Sequence, residues 1–128
     1  MSEQSQEGRQ VDRFVLDYID TVPHLEALLL LWRSRPRDWA VSELAQALYL
    51  KERQAANIAQ DLMREGLIKP AGDRLQYRSD DADQDVLMAA VDATYRRETV
   101  RLSTLIHSRA SRAVRDFAQS FRLKKEET

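Results

Sequence analysis

One stretch limits the possible folds more than any other: WAVSELAQALYLKERQAANIAQDLMREGLIKPAGDRLQY, from Trp39 to Tyr77. Ser42 is a good N-cap for the segment SELAQALYL, and Glu43 at its first helical position favours the positive end of the helix dipole. Leu44, Ala45 and Leu48 give this helix a buried face, and Tyr49 and Leu50 form the turn after it. A second helix begins at Lys51 or Glu52 and ends at Gly66, a C-terminal stop signal. Leu67 to Lys69 and Arg74 to Tyr77 then read as two strands joined by residues 70–73, where Gly72 supplies the positive φ that tight turns need. Trp39 to Val41 is a short apolar strand placed to pair with that hairpin. The order is helix, turn, helix, hairpin: a helix-turn-helix with a β-hairpin wing.

The surroundings fit a helical frame. Val11, Phe14, Val15, Tyr18 and Ile19 follow helical spacing on one face, and residues 1–9 read as a polar, flexible tail. Thr21 caps the next helix and Pro23 sits in its first turn. Apolar residues nearly encircle that helix as far as Ser34, so it should be the central buried one. Pro36 enforces a polar break, flanked by Trp32 and Trp39 as core anchors.

Past an acidic bridge over residues 79–84, Asp81 or Asp83 starts a helix whose apolar face is Val86, Leu87, Ala90, Val91 and Thr94. Val100, Leu102, Leu105 and Ile106 continue the signal, as one helix or two. His107 and Ser108 look like a turn, and a last helix would group Val114, Phe117, Ala118 and Phe121. The expected organisation is a tail (1–9), a winged helix-turn-helix domain with its leading helix (10–78) and a C-terminal helical extension (79–128). The fold class is mainly α.

Charge is uneven beneath a formal total of −1. Residues 33–78 carry nine basic and six acidic groups, and residues 97–128 carry eight and four; the other two blocks are acidic. A near-neutral chain is not a purely electrostatic coater of DNA, but it leaves room for a local basic face. Absence of cysteine excludes disulfides, thiol catalysis and thiolate zinc sites, and fits a reducing cytoplasm. The N-terminus has no apolar signal core and no apolar run approaches a membrane span, so a cytoplasmic protein without a membrane partner is expected.

The chemistry sits on the second helix of the motif. Ala55, Ile58, Ala59 and Leu62 form one stripe, and Arg53, Asn57, Gln60 and Arg64 form the opposite one, with no acid in it. Arg suits guanine and Asn or Gln suits adenine when a helix lies in the major groove. Arg53 and Asn57 are the leading base-reading residues, with Lys51, Gln54, Gln60 and Arg64 able to reach phosphates or neighbouring bases. Lys69, Arg74 and Arg78, on or beside the wing, could touch backbone phosphates. The plain alternative is an exposed helix made soluble by its side chains. Arg109, Arg112, Arg115, Arg122, Lys124 and Lys125 make the last helix basic, read as a solvated face before a second nucleic-acid contact.

His24 and His107 are isolated and read as helix-end or surface residues, so no metal site is expected. Asp80, Asp81, Asp83 and Asp85 lack the glycine and terminal glutamate of a calcium loop and read as a linker and helix start. No phosphate-binding glycine loop or catalytic triad pattern is present, so neither an enzyme nor a cofactor is expected.

Leu28 to Tyr77 resembles the winged-helix fold of bacterial transcriptional regulators of the MarR and PadR types. The resemblance rests on SELAQAL, LMREGLIK and RLQY. The ending RDFAQSFRLKK is similar to that of small, uncharacterised bacterial winged-helix proteins. The resemblance implies a DNA-binding regulator that places residues 51–65 in the major groove of double-stranded DNA, with a homodimer formed through the C-terminal helices. The alternative is a winged-helix module that binds protein without reading DNA. Unlike typical MarR-type wings, the tip at residues 70–73 carries no arginine.

Overall fold

The computed structural model describes residues 5–78 and 81–109. The elements in chain order are α1 (Gln6–Tyr18), α2 (Val22–Arg33), α3 (Val41–Leu48), α4 (Glu52–Arg64), β1 (Ile68–Ala71), β2 (Arg74–Tyr77) and α5 (Ala82–Arg97). The chain is helical again over 99–109, here α6.

The sequence signals for caps mostly act where expected. Thr21 accepts the backbone N–H of His24 at the start of α2, and Asp81 accepts those of Asp83 and Gln84 at the start of α5. Two starts differ from expectation. Helix α1 begins at Gln6, inside the segment read as a tail, because Ser5 accepts the N–H of Gly8. Helix α3 begins at Val41 rather than after Ser42, because Glu43 reaches back and accepts the Ala40 N–H at 2.9 Å.

Helix α2 is the hub, as its all-round apolar pattern predicts. Leu25, Ala27, Leu28, Leu29 and Leu31 are all buried, and it touches α3, α4, α5 and β2. Helix α4 presents its expected stripe, Ala55, Ile58, Ala59 and Leu62, to this core. Burying Ile58 and Leu62 contributes about 1.5–3 kcal/mol each relative to exposure, so this side of α4 has one preferred orientation. Helix α4 ends in a paired hydrogen-bond closure: Gly66 N–H to Met63 and Leu67 N–H to Leu62, both at 3.0 Å. Gly66 adopts φ 75°, which that closure requires.

The hairpin is tighter than the sequence suggests. Ile68 pairs with Tyr77 and Ala71 with Arg74, leaving only Gly72 (φ 66°) and Asp73 as the turn. Trp39 joins the hairpin through one bridge, exchanging two 2.7 Å backbone hydrogen bonds with Leu75. Trp39 is buried in the core, and Trp32 packs against it half-buried.

The C-terminal region settles one open point and corrects others. The apolar signal over 84–107, readable as one helix or two, is two helices, broken at Glu98, which ends α5 and accepts the first hydrogen bond of α6. The break resets the helical phase, so Leu102 and Ile106 are buried while Val100 is 79% exposed. Val86 is also outside the core, 71% exposed, because α5 turns Met88, Val91 and Thr94 inward instead. His107 and Ser108 are helical rather than a turn: polarity alone does not stop a helix when neither Gly nor Pro intervenes. The last helix expected beyond residue 109 lies outside the described residues.

Ion pairs fasten these helices to the rest. Arg101 binds both oxygens of Asp12 on α1, at 3.0 and 2.9 Å, and Arg109 pairs with Asp20. Asp92 on α5, only 8% exposed, accepts from Arg33 at the end of α2 (2.6 Å) and pairs with Arg96 (3.2 Å).

Candidate nucleic-acid interface

The face of α4 opposite its core stripe is exposed along its length. Lys51, Arg53, Gln54, Asn57, Gln60 and Arg64 are all exposed, so the structure brings six of the nine expected residues onto one helix. Lys51 is the N-cap residue, and Gln54 is partly engaged, accepting the Lys51 N–H at 3.4 Å. Arg53, Asn57 and Gln60 make no side-chain hydrogen bond or ion pair among the described residues. Arg64 is held lightly by Asp61 at 3.2 Å. At 1.5 Å per residue, Arg53 and Arg64 stand about 16 Å apart along the helix.

The wing residues behave differently. Lys69 is exposed on β1. Arg74 is engaged: its guanidinium donates to Asp38 at 2.8 Å and to Glu43 at the head of α3. Glu43 is held below the ordinary carboxylate range, first by the Ala40 N–H and then by the charges of Arg74 and Arg37. The Arg74 guanidinium is correspondingly harder to deprotonate, chiefly through its hydrogen bond to Asp38. Arg78 is exposed but lies against Gly66, at the C-terminal end of α4 and far from Arg53. The wing thus leaves Lys69 exposed on β1, while Arg74 closes a staple between β2 and α3.

Three features escape a reading by sequence spacing. His24 is buried, 7% exposed, and bridges Thr21 Oγ1 (2.6 Å) to Asp61 on α4 (2.9 Å). Asp20, His24 and Asp61 bring metal-ligand atom types within 4.8 Å of one another, but each carboxylate already has an arginine, Arg109 or Arg64. No local spacing links residues 37 positions apart. The second feature is the Arg35 and Arg37 pair, whose guanidinium groups lie over the rings of Trp32 (4.5 Å) and Trp39 (3.8 Å). The third is Tyr49, 95% exposed in the turn before α4. Its signal was a bulky residue where a helix end ordinarily takes Gly or Asn.

No protein-family model matches the sequence, and no curated protein matches it. Among solved structures, the chain is similar to MepR, a transcription regulator of the Staphylococcus aureus multidrug efflux pump MepA. The two are 14% identical, the match covers 91% of each chain, and the TM-score is 0.51. The chain has a winged-helix fold. A MarR family protein of Mycobacterium tuberculosis, Rv2887, is also similar, at 14% identity over 94% of this chain and 84% of that one, with a TM-score of 0.47. The winged helix agrees with the resemblance carried by SELAQAL, LMREGLIK and RLQY, and with the expected mainly α class. Among the described residues, no helix of this winged-helix chain is long and apolar enough to cross a membrane.

Proposed function

We propose that this winged-helix protein is a DNA-binding transcription regulator, a cytoplasmic binder rather than a catalyst, that lays α4 in the major groove of double-stranded DNA. The observation that carries this reading is the outer face of α4. Arg53, Asn57 and Gln60 are exposed and without side-chain partners among the described residues, while the opposite stripe is locked into the core. A side chain already satisfied within the fold would have to break that contact to read a base; these three need not. In the proposed complex Arg53 donates to guanine, Asn57 pairs with adenine, and Lys51, Gln54, Gln60, Arg64 and Lys69 reach phosphates or flanking bases. Arg74 braces the wing, and Arg78 contributes at most a peripheral phosphate contact. Exposed Val86 and Val100 on α5 and α6 favour self-association through the C-terminal helices, which would double the basic surface.

The test is the double variant Arg53→Ala with Asn57→Ala, assayed on a duplex that the wild-type protein selects from a randomised pool. Each base contact is worth about 1–3 kcal/mol, so affinity should fall about a hundredfold or more with Tm unchanged. Wild-type affinity in the double variant would refute the reading.

A further inference from the structure

Tyr49 stands out from the rest of the surface. Among the described residues it is the only non-glycine with a positive φ, at φ 56° and ψ 43°. Its backbone closes α3 with the same paired hydrogen bonds that end α4: Tyr49 N–H to Gln46 at 3.3 Å and Leu50 N–H to Ala45 at 2.9 Å. At the end of α4 the corresponding position is Gly66, as the steric cost of a Cβ in the left-handed region would lead one to expect. At the end of α3 a full phenol occupies it. That side chain returns nothing to the fold, because it is 95% exposed and makes no hydrogen bond among the described residues. The packing is done by its neighbour Leu50, which is partly buried against the core. A strained position carrying a large side chain that the fold does not use is where a contact to another molecule is expected.

Location identifies the occupant. Tyr49 lies two residues before Lys51, the N-cap of α4, at the mouth of the helix whose Arg53 and Asn57 have no side-chain partner among the described residues. When such a helix points its N-terminal half into a groove, the residues just before it pass over the sugar-phosphate backbone at the groove's edge. We propose that Tyr49 is a DNA-positioning residue: its phenol O–H donates to a backbone phosphate oxygen beside the groove that α4 enters. This rests on the reading of α4 given above. The phenol is neutral and the phosphate is common to every sequence. Tyr49 therefore adds affinity and fixes the register of α4, without adding to salt dependence or base preference.

The experiment uses the full chain and a fluorescein-labelled duplex selected by the wild-type protein from a randomised pool. Tyr49→Phe, which removes only the hydroxyl, should bind about tenfold more weakly, as expected for loss of a hydrogen bond to a charged group. Tyr49→Gly should bind at least as weakly, with a Tm equal to or above wild type because glycine relieves the left-handed backbone. In both variants the slope of affinity against salt and the preference over a scrambled duplex should match wild type. Unchanged binding by Tyr49→Phe overturns the hydrogen bond to phosphate, and a large drop in Tm for Tyr49→Gly shows a structural role instead. A loss confined to particular base pairs makes Tyr49 a base reader and also overturns the proposal. Should the wild-type protein select no duplex, the reading of α4 falls and takes this one with it; normal selection with unaffected Tyr49 variants removes this inference alone.

Discussion

Arginine is used in opposite ways on α4 and on the wing. On α4, Arg53 projects into solvent from a helix fixed on its other side by Ile58 and Leu62, and makes no ion pair among the described residues. On the wing, Arg74 is closed between Asp38 and Glu43 and ties β2 to the head of α3. Both residues are basic and both lie in the segment that looked like a DNA-reading surface. The difference is whether the fold already supplies an anion. A guanidinium paired within the molecule must give up that pairing before it can contact a phosphate, so its binding and its structural role compete. On the proposed reading, total positive charge overstates the interface; among the described residues of this segment the cations without an anionic partner that remain for it are Arg53 on α4, Lys51 at its cap and Lys69 on β1.

The comparison predicts that substitutions divide by readout. The largest effect is on binding, from the Arg53→Ala, Asn57→Ala pair, which should leave thermal unfolding untouched. Next comes a stability effect from the most deeply engaged carboxylate. Asp92→Ala leaves Arg33 and Arg96 without their shared partner at the junction of α2 and α5. Because both guanidinium groups keep some access to water, the cost should be about 2 kcal/mol, below the full penalty for a buried pair. Denaturant unfolding measures it, and an unchanged midpoint would mean the junction is held by packing alone.

The smallest effect should come from Arg74→Ala: a modest fall in Tm and a change in DNA affinity within about twofold, typical of a surface position. The pH dependence gives its signature. Glu43 titrates below its unfolded value, so its contribution is fully present above the ordinary carboxylate range and is lost as pH falls below that range through its lowered folded value. Arg74→Ala should therefore differ from wild type in Tm at neutral pH and converge with it in acid. A large loss of DNA affinity in this variant would erase the distinction between wing and α4.

Much of the fold was legible because periodicity and stop signals agree locally. The stripe at Ala55, Ile58, Ala59 and Leu62, the stop at Gly66 and the all-round apolar α2 each needed only nearby residues to be read. What was not legible came from a side-chain cap, a break without a stop residue, and distant partners. Glu43 reaching back to Ala40 moved the start of α3, and the interruption at Glu98, unmarked by Gly or Pro, put Val100 outside the core. The polar stripe of α4 was visible as a pattern, but whether each cation was free was not. Arg74 meets Asp38 across 36 positions and His24 meets Asp61 across 37, contacts that only the packed chain reveals. Tyr49 was legible as a turn residue, not as one in a left-handed conformation with its side chain fully outward.

The central claim is that the outer face of α4 makes the contact. An NMR titration of the full-length protein with the selected duplex tests it directly by following each backbone amide. The account predicts the largest shift changes over residues 49–60, smaller ones at Lys69, and little change at Arg74. Shift changes centred on residues 69–78, with α4 silent, would contradict it.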